Sequence, residues 1–213
     1  RTAIAISGDL TSVNTGTVNW NWELDNNLVQ YLAEGETVSV TYTVSVTDDS
    51  GVITANAYDE VRTGTQDITV TITGTNDSPV ITNGLDTSTL TETNTSITDN
   101  GTMTVTDIDL TDTIAATVDS VAITGGSYNP ANVPAALTAS SNADLKAMLA
   151  LSVSSGTTSA IAANPSSGSD FTWTFTSGTS DDNAFEFLAA GETLELTYTV
   201  KVQDNSTDRS GQE

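Results

Sequence analysis

The stretch that decides the fold occupies residues 31–46 and reads YLAEGETVSVTYTVSV. Its second half alternates strictly between an apolar residue and threonine or serine. The apolar members are Val38, Val40, Tyr42, Val44 and Val46. Successive side chains of a β-strand point to opposite faces of a sheet, so this alternation predicts a strand with one buried face. Threonine at the outward positions favours a strand further, because its branched Cβ fits a pleated surface.

The same stretch recurs at residues 187–202 as FLAAGETLELTYTVKV, an offset of 156 residues that brings Gly191 onto Gly35. Upstream, Trp20 and Trp22 match Trp173 and Phe175 at an offset of 153 residues. A match of this length establishes an internal duplication, and a repeated unit is the first feature to identify in any sequence.

The rest of the chain predicts further short strands. Residues 68–72 and 103–105 alternate in the same way, and clusters of Gly, Asn, Asp and Ser separate the runs. Only residues 141–150, SNADLKAMLA, predict a helix, which we expect to decorate an insertion that the first copy lacks. The predicted fold class is all-β: tandem Ig-like or cadherin-like β-sandwich domains, with a short helix in an insertion of the second.

The two copies join at residues 73–79, TGTNDSP, where polar residues and a proline follow the last strand of the first copy. We therefore predict a β-sandwich repeat over residues 1–78 that is incomplete at its N-terminus. A second repeat is predicted over residues 79–213, with an insertion at about 127–170 and without its last strand.

Charge restricts the partners of this chain. It has 28 acidic and 5 basic residues and a formal net charge of −23, so it repels nucleic acid and anionic membranes. Charge of one sign also destabilises a compact state, and divalent cations held at clustered carboxylates relieve that repulsion. The alternative is that the acidity serves only to keep an extracellular protein soluble.

Two residue types are absent. Without cysteine there are no disulfides and no thiolate chemistry, and without histidine the usual general base at neutral pH is missing. We therefore expect no enzymatic activity. We also expect no membrane insertion, since no apolar run reaches the length that spans a bilayer. Residues 1–4 have no signal-peptide character, and we expect the chain to be cut from a longer protein.

Four stretches together resemble VCBS-type repeats of giant RTX adhesins. They are LAEGET at 32–37, YTVSVTD at 42–48, ITGTNDSP at 72–79 and GTMTVTDID at 101–109. The resemblance implies a sandwich repeated many times, exported to the extracellular surface of a Gram-negative bacterium. It further implies an extender of a cell-surface adhesin that supports attachment or biofilm formation, with neighbouring repeats as its partners and calcium in the joints between domains.

Acidic residues near the joint are candidate calcium ligands. Asp107, Asp109 and Asp112 form D-x-D-x-x-D after a strand, and Asn76 and Asp77 lie in the linker. Calcium takes roughly six to eight oxygen ligands, which must converge from flexible loops.

The resemblance adds Glu92, as the acidic residue near the start of the domain, and implies a shared Ca²⁺ site. The alternative is that these side chains cap turns. For Asp48, Asp49, Asp204 and Asn205, turn chemistry is the preferred interpretation.

Trp20 and Trp22 are two residues apart, so on a strand they share a face. Repetition of large aromatic residues in the second copy favours a core role. Stacking against a cell-surface or matrix glycan is the alternative.

A second function class follows from the run TAIAISG at residues 2–8, which resembles ITVTITG at 68–74. Donated to a neighbouring copy, it would complete an open sheet and build an extracellular filament head to tail from identical subunits by β-strand complementation. It also resembles residues 120–125, and so is equally an internal strand of the first copy.

Overall fold

The computed structural model describes residues 18–47, 63–138, 143–153, 160–162, 169–179 and 182–206. These residues form an all-β fold of antiparallel sheets with almost no helix, which confirms the predicted class at that level. The strands are, in chain order, β1 (Thr37–Thr47), β2 (Thr63–Thr73), β3 (Val80–Ile81), β4 (Thr98–Thr106), β5 (Thr113–Gly126), β6 (Leu149–Val153), β7 (Ala160–Ala162), β8 (Ser169–Thr176), β9 (Gly178–Thr179), β10 (Asp182–Asn183) and β11 (Leu194–Asp204). The α-helix α1 spans Ala143–Ala147, and short 3-10 helices span Asn26–Leu28 and Pro130–Asn132.

The strands pair in four antiparallel sheets. In the first copy β1 pairs with β2 in unbroken register from Thr37↔Thr73 to Thr47↔Thr63. The second copy contains a sheet in the order β3-β4-β8-β6, a sheet in the order β11-β5-β7, and the small pair β9-β10.

The two larger sheets share their buried side chains. One cluster centres on Val121 of β5 and Phe185, against which Phe175 of β8 and Leu196 of β11 pack. A second cluster joins Val105 of β4, Ile114 of β5 and Phe171 of β8, all at most 1% exposed. Burial of apolar surface between these sheets therefore holds the second copy together.

The duplication is visible in the structure as well as in the sequence. Gly35 and Gly191 both adopt positive φ, 76° and 86°, which favours glycine because other residues pay a steric cost there. Each glycine is followed by a glutamate whose Oε2 accepts a backbone N–H bond: Ala33 N to Glu36 at 3.1 Å, and Ala189 N to Glu192 at 2.9 Å. The same local sequence thus builds the same turn twice.

The insertion contributes to the core of the second copy and does not merely decorate it. Leu145 of α1 is fully buried, and its carbonyl accepts a 2.7 Å bond from the Tyr198 hydroxyl of β11. The predicted helix over 141–150 is also too long at its C-terminal end. Leu149 and Leu151 instead enter β6, where pairing with β8 places them opposite Phe175 and Trp173.

The predicted strand around Trp20 and Trp22 is absent, since residues 18–25 form no regular element. Trp20 is 50% exposed, so its assignment to a core was wrong. Trp22 is half-buried and donates its indole N–H to the Tyr42 hydroxyl at 3.1 Å. The matching residues 173 and 175 do lie in a strand, β8, where pairing with β4 on one side and β6 on the other fixes them.

Candidate metal centre

Three segments converge at one end of β4. Residues 107–112 connect β4 to β5, and β11 runs alongside β5 so that Asp204 pairs with Ile114. The linker of residues 74–79 leads into β3, whose Val80 pairs with Thr106 at the end of β4. Sheet pairing therefore brings together acidic residues that are about a hundred positions apart in the sequence.

Four of these residues, Asp107, Asp109, Asp112 and Asp204, form what we call the aspartate group. Carboxylate oxygens of Asp107, Asp112 and Asp204 all lie within 4.8 Å of one another. Asp107 is 2% exposed, Asp109 0% and Asp112 6%, and Asp204 is half-buried. Carboxylates are rarely buried to this extent unless they are paired or bind a metal.

Hydrogen bonds from neighbouring N–H groups fix the orientation of three members of the group, Asp107, Asp109 and Asp204. Asp107 Oδ1 accepts from Asp109 N at 3.1 Å, and Asp109 Oδ2 accepts from Asp77 N at 2.7 Å. Asn76 Nδ2 donates to Asp204 Oδ2 at 3.2 Å, while Asp204 Oδ1 accepts from Ser206 N at 2.9 Å. The linker residues predicted as ligands thus contact the aspartate group directly.

Each of the buried members leaves an oxygen without a hydrogen-bond donor. The unpartnered atoms are Asp107 Oδ2, Asp109 Oδ1 and Asp112 Oδ2. The linker residue Asn76 adds a fourth such atom, its Oδ1. A buried polar atom without a partner is costly, and native proteins rarely contain several together. Oxygens of this kind, oriented by bonds to their neighbours, are what a hard cation such as Ca²⁺ requires.

The charges of the aspartate group are mutually unfavourable. The pKa of Asp107 is raised to about 6, mainly by burial. The backbone hydrogen bond from Asp109 opposes this rise, and repulsion from Asp109, Asp112 and Asp204 contributes to it. The pKa of Asp109 is likewise raised to about 6, mainly by burial. The backbone hydrogen bond from Asp77 opposes this rise, and repulsion from Asp77, Asp112 and Asp204 contributes to it. Among the described residues no lysine or arginine is a cause of these shifts.

Residues 31–36 of the first copy, which form its repeated turn, contact the loop between β4 and β5 and the residues after β11. Tyr31 O accepts from Leu110 N at 3.2 Å, and Glu34 Oε2 accepts from the Ser206 hydroxyl at 2.6 Å. Burial raises the pKa of Asp112, followed by repulsion from Asp204, Glu36 and Glu34. The aspartate group therefore lies where the first copy, the linker and the second copy meet.

Glu92 is not brought into this arrangement. It lies between Ser88, which bonds to Asp99 near the start of β4, and Ile97, which bonds to Ser177. Asp107 follows the other end of β4, and nine residues of strand separate the two ends by roughly 26 Å. Glu92 therefore occupies the opposite end of the second copy, although its Oε1 is also without a partner.

Asp204 is a ligand candidate for which the sequence favoured turn chemistry over metal binding. It looked like a turn residue because it ends a long strand, and its role depends on the pairing of β11 with β5. A local sequence signal is the polar pair Asp204 and Asn205 directly after the repeated strand; Asn205 Oδ1 accepts from Thr113 N at 2.6 Å. The counterparts of this pair, Asp48 and Asp49, lie outside the described residues.

Comparison of the chain with protein families, characterised proteins and solved structures gave no significant match. No helix among the described residues is long and apolar enough to cross a membrane.

Proposed function

We propose that this chain is a structural, calcium-stiffened extender of a secreted bacterial surface adhesin, without enzymatic activity, that supports cell attachment or biofilm formation. Its two copies are immunoglobulin-like or cadherin-like sandwiches in tandem. Calcium binds between them through Asp107, Asp109, Asp112, Asp204 and Asn76. The bound ion neutralises the buried carboxylates and fixes the angle between the copies.

The observation that carries this proposal is the group of unpartnered, buried oxygens at the junction. Without a cation, burial and repulsion between neighbouring carboxylates raise the pKa values of three buried aspartates, and no lysine or arginine of the described residues offsets this. With a cation, the same oxygens become ligands. The linker bonds to Asp109, and Glu34 of the first copy bonds to Ser206, two residues after Asp204, so binding there links the two copies mechanically.

Calcium titration of an Asp107→Asn variant tests the site. The amide keeps Oδ1 as the acceptor for Asp109 N and removes one buried charge, so the metal-free variant is expected to be more stable than the parent protein. Calcium at about 100 times its dissociation constant should stabilise the parent by about 2.7 kcal/mol. The variant should lose most of that gain, measured by calcium calorimetry together with thermal unfolding.

Asp119→Asn is the matched control. It makes the same change of charge on an exposed residue of β5, so it should bind calcium like the parent. A parent protein that shows no heat of calcium binding and no change in melting temperature up to several millimolar calcium, the range of weak extracellular sites, would contradict the proposal.

A second candidate function is a subunit of an extracellular filament assembled by strand complementation. The observation in its favour is that the equivalent strands β1 and β11 have different partners, β2 and β5. Electron microscopy separates the two functions. An extender gives isolated two-lobed rods that become flexible on chelation, whereas a filament subunit gives fibres whose length grows with protein concentration.

A further inference from the structure

One edge of β11 carries no strand among the described residues. The sheet has the order β11-β5-β7, so β5 is the one described strand that pairs with β11. The strand is nevertheless held firmly, since Leu196 and Tyr198 pack on the cluster around Val121, and Val200 packs on the cluster around Ile114. An open edge on a fixed strand presents a row of backbone N–H and C=O groups that can pair with another strand.

The internal duplication shows which edge of β11 is open. In the first copy Glu36 O accepts from Gly74 N at 2.8 Å, so Glu36 directs its backbone toward the β2 side. In the second copy Thr193, the equivalent of Thr37, accepts from Ser127 N at 3.0 Å on the β5 side. Neighbouring residues of a strand direct their backbone groups to opposite edges, so β2 and β5 occupy opposite edges of equivalent strands.

The open edge is regular along its length. Both register shifts in the β5–β11 pair leave out a residue of β5, Thr124 and Asp119, and none of β11. No proline interrupts β11. Exposed edges are often protected by bulges, prolines, short length or charged side chains. This eleven-residue strand lacks the first three features and carries the charged residues Glu195 and Lys201.

We propose that the open edge of β11 is an acceptor site for an extended segment with the pattern of β2, TGTQDITVTIT followed by glycine, bound antiparallel in the register that β2 has on β1. The offset of 156 residues then sets Ile72 opposite Leu194, Val70 opposite Leu196 and Ile68 opposite Tyr198. The apolar side chains of the segment extend the core face of the sheet.

The outward face of this arrangement is also complementary. The threonine that pairs with Asp67 in the first copy is Thr43, whose hydroxyl donates to that carboxylate at 2.6 Å. The equivalent residue on β11 is Thr199, and the next outward residue is Lys201. The acidic residue of the segment therefore lies beside a basic residue of the acceptor, which favours this register over others.

The acceptor site is separate from the proposed calcium site. In the proposed register residues 63–73 of the segment lie opposite residues 193–203, so the segment pairs with no member of the aspartate group. Pairing of a peptide with a sheet edge gains affinity from main-chain bonds and specificity from alternate side chains. The ligand is therefore defined by its alternation and its terminal glycine.

Disulfide trapping tests the register, since the chain has no cysteine of its own. A peptide of residues 63–74 carrying Thr69→Cys is incubated with the Thr197→Cys protein; the two positions face each other on the exposed side in the proposed register. We expect a mixed disulfide. A Thr65→Cys peptide faces residue 201 instead, roughly 13 Å away, which is beyond the ~7 Å that a disulfide spans.

Thr41→Cys is the matched control protein. Thr41 is the equivalent residue of β1 and is already opposite Thr69 of β2, so the peptide should react with it much more slowly. Equal trapping by the Thr41→Cys and Thr197→Cys proteins, or by the two peptides, would overturn the proposal.

Backbone methylation of the peptide gives a second, independent readout. In the proposed register Val70 N–H points toward β11 and Thr69 N–H points away from it. N-methylation at Val70 should weaken binding of a fluorescent peptide at least tenfold, whereas N-methylation at Thr69 should leave it largely unchanged. Equal effects of the two modifications, or no saturable binding of the unmodified peptide, would also overturn the proposal.

Discussion

At the scale of single residues, the chain departs from the rule that carboxylates stay in water. Asp107 and Asp109 are almost fully buried, and each directs one oxygen to a backbone N–H and leaves the other without a donor. The hydrogen bonds orient the side chains, but they do not compensate the charge. The stability of the metal-free protein should therefore depend on the protonation of these two residues.

The pH dependence follows from the raised pKa values. The folded-state pKa of about 6 lies above that of an exposed aspartate, so the folded protein binds more protons than the unfolded chain between about pH 4 and 6. Stability that is present below that range is lost as pH rises through 6. In chelator, the free energy of unfolding by urea should therefore increase from about pH 7.5 down to about pH 5.

Saturating calcium should remove or reverse this dependence, because the ligands must be deprotonated to bind the ion. Asp107→Asn should reduce the slope in chelator, and the exposed Asp119→Asn should preserve it. An identical slope in the parent protein and both variants would mean that general charge repulsion, and not the aspartate group, sets the pH dependence.

At the scale of elements, helix α1 is part of the packed interior. Leu145 is fully buried within the cluster around Val121 and Phe185, and its backbone carbonyl accepts the Tyr198 hydroxyl bond. Burial of the Tyr198 side chain also raises the pKa of its phenol far above the ordinary value, so this donor stays protonated at physiological pH. The insertion and β11 are thereby joined by both packing and a hydrogen bond.

Leu145→Ala should lower the free energy of unfolding by about 2–5 kcal/mol, because it leaves a cavity in the core. Leu85→Ala, the same change at a residue that is 97% exposed, should fall within about 0.5 kcal/mol of the parent protein. Both values come from urea unfolding in calcium. Similar values for the two variants would show that the insertion is not part of the cooperative core.

At the scale of the whole molecule, a net charge of −23 opposes compaction. In chelator, raising sodium chloride from about 0.1 M to about 1 M shortens the Debye length from roughly 10 Å to 3 Å and should raise the melting temperature by several degrees. The calcium-saturated protein should gain less, since its most closely spaced carboxylates are already neutralised. An equal rise in melting temperature with salt in chelator and in calcium would mean that the repulsion arises from carboxylates outside the aspartate group.

The class of fold was accessible from the sequence because alternation is a local property. The pattern of residues 38–46 matches β1, and its repeat at 194–202 lies within β11. The glycine shortly before each strand, Gly35 or Gly191, adopts positive φ in both copies. The prediction of a strand around Trp20 was wrong, because a short apolar pattern forms a strand only where a partner strand pairs with it. Residue 173 has one on each side, whereas residues 18–25 form no regular element.

The sequence by itself determined the long strands β1 and β11, the duplication and the acidic character of the joint, since each of these follows from the order of residues along the chain. It also selected Asp107, Asp109, Asp112, Asn76 and Asp77, which lie in two short runs. Only the tertiary structure decided that Asp204 joins them and that Glu92 lies at the far end of β4, because both facts depend on the pairing of strands distant in sequence. Local order fixes a residue's conformation, whereas sheet register fixes its neighbours.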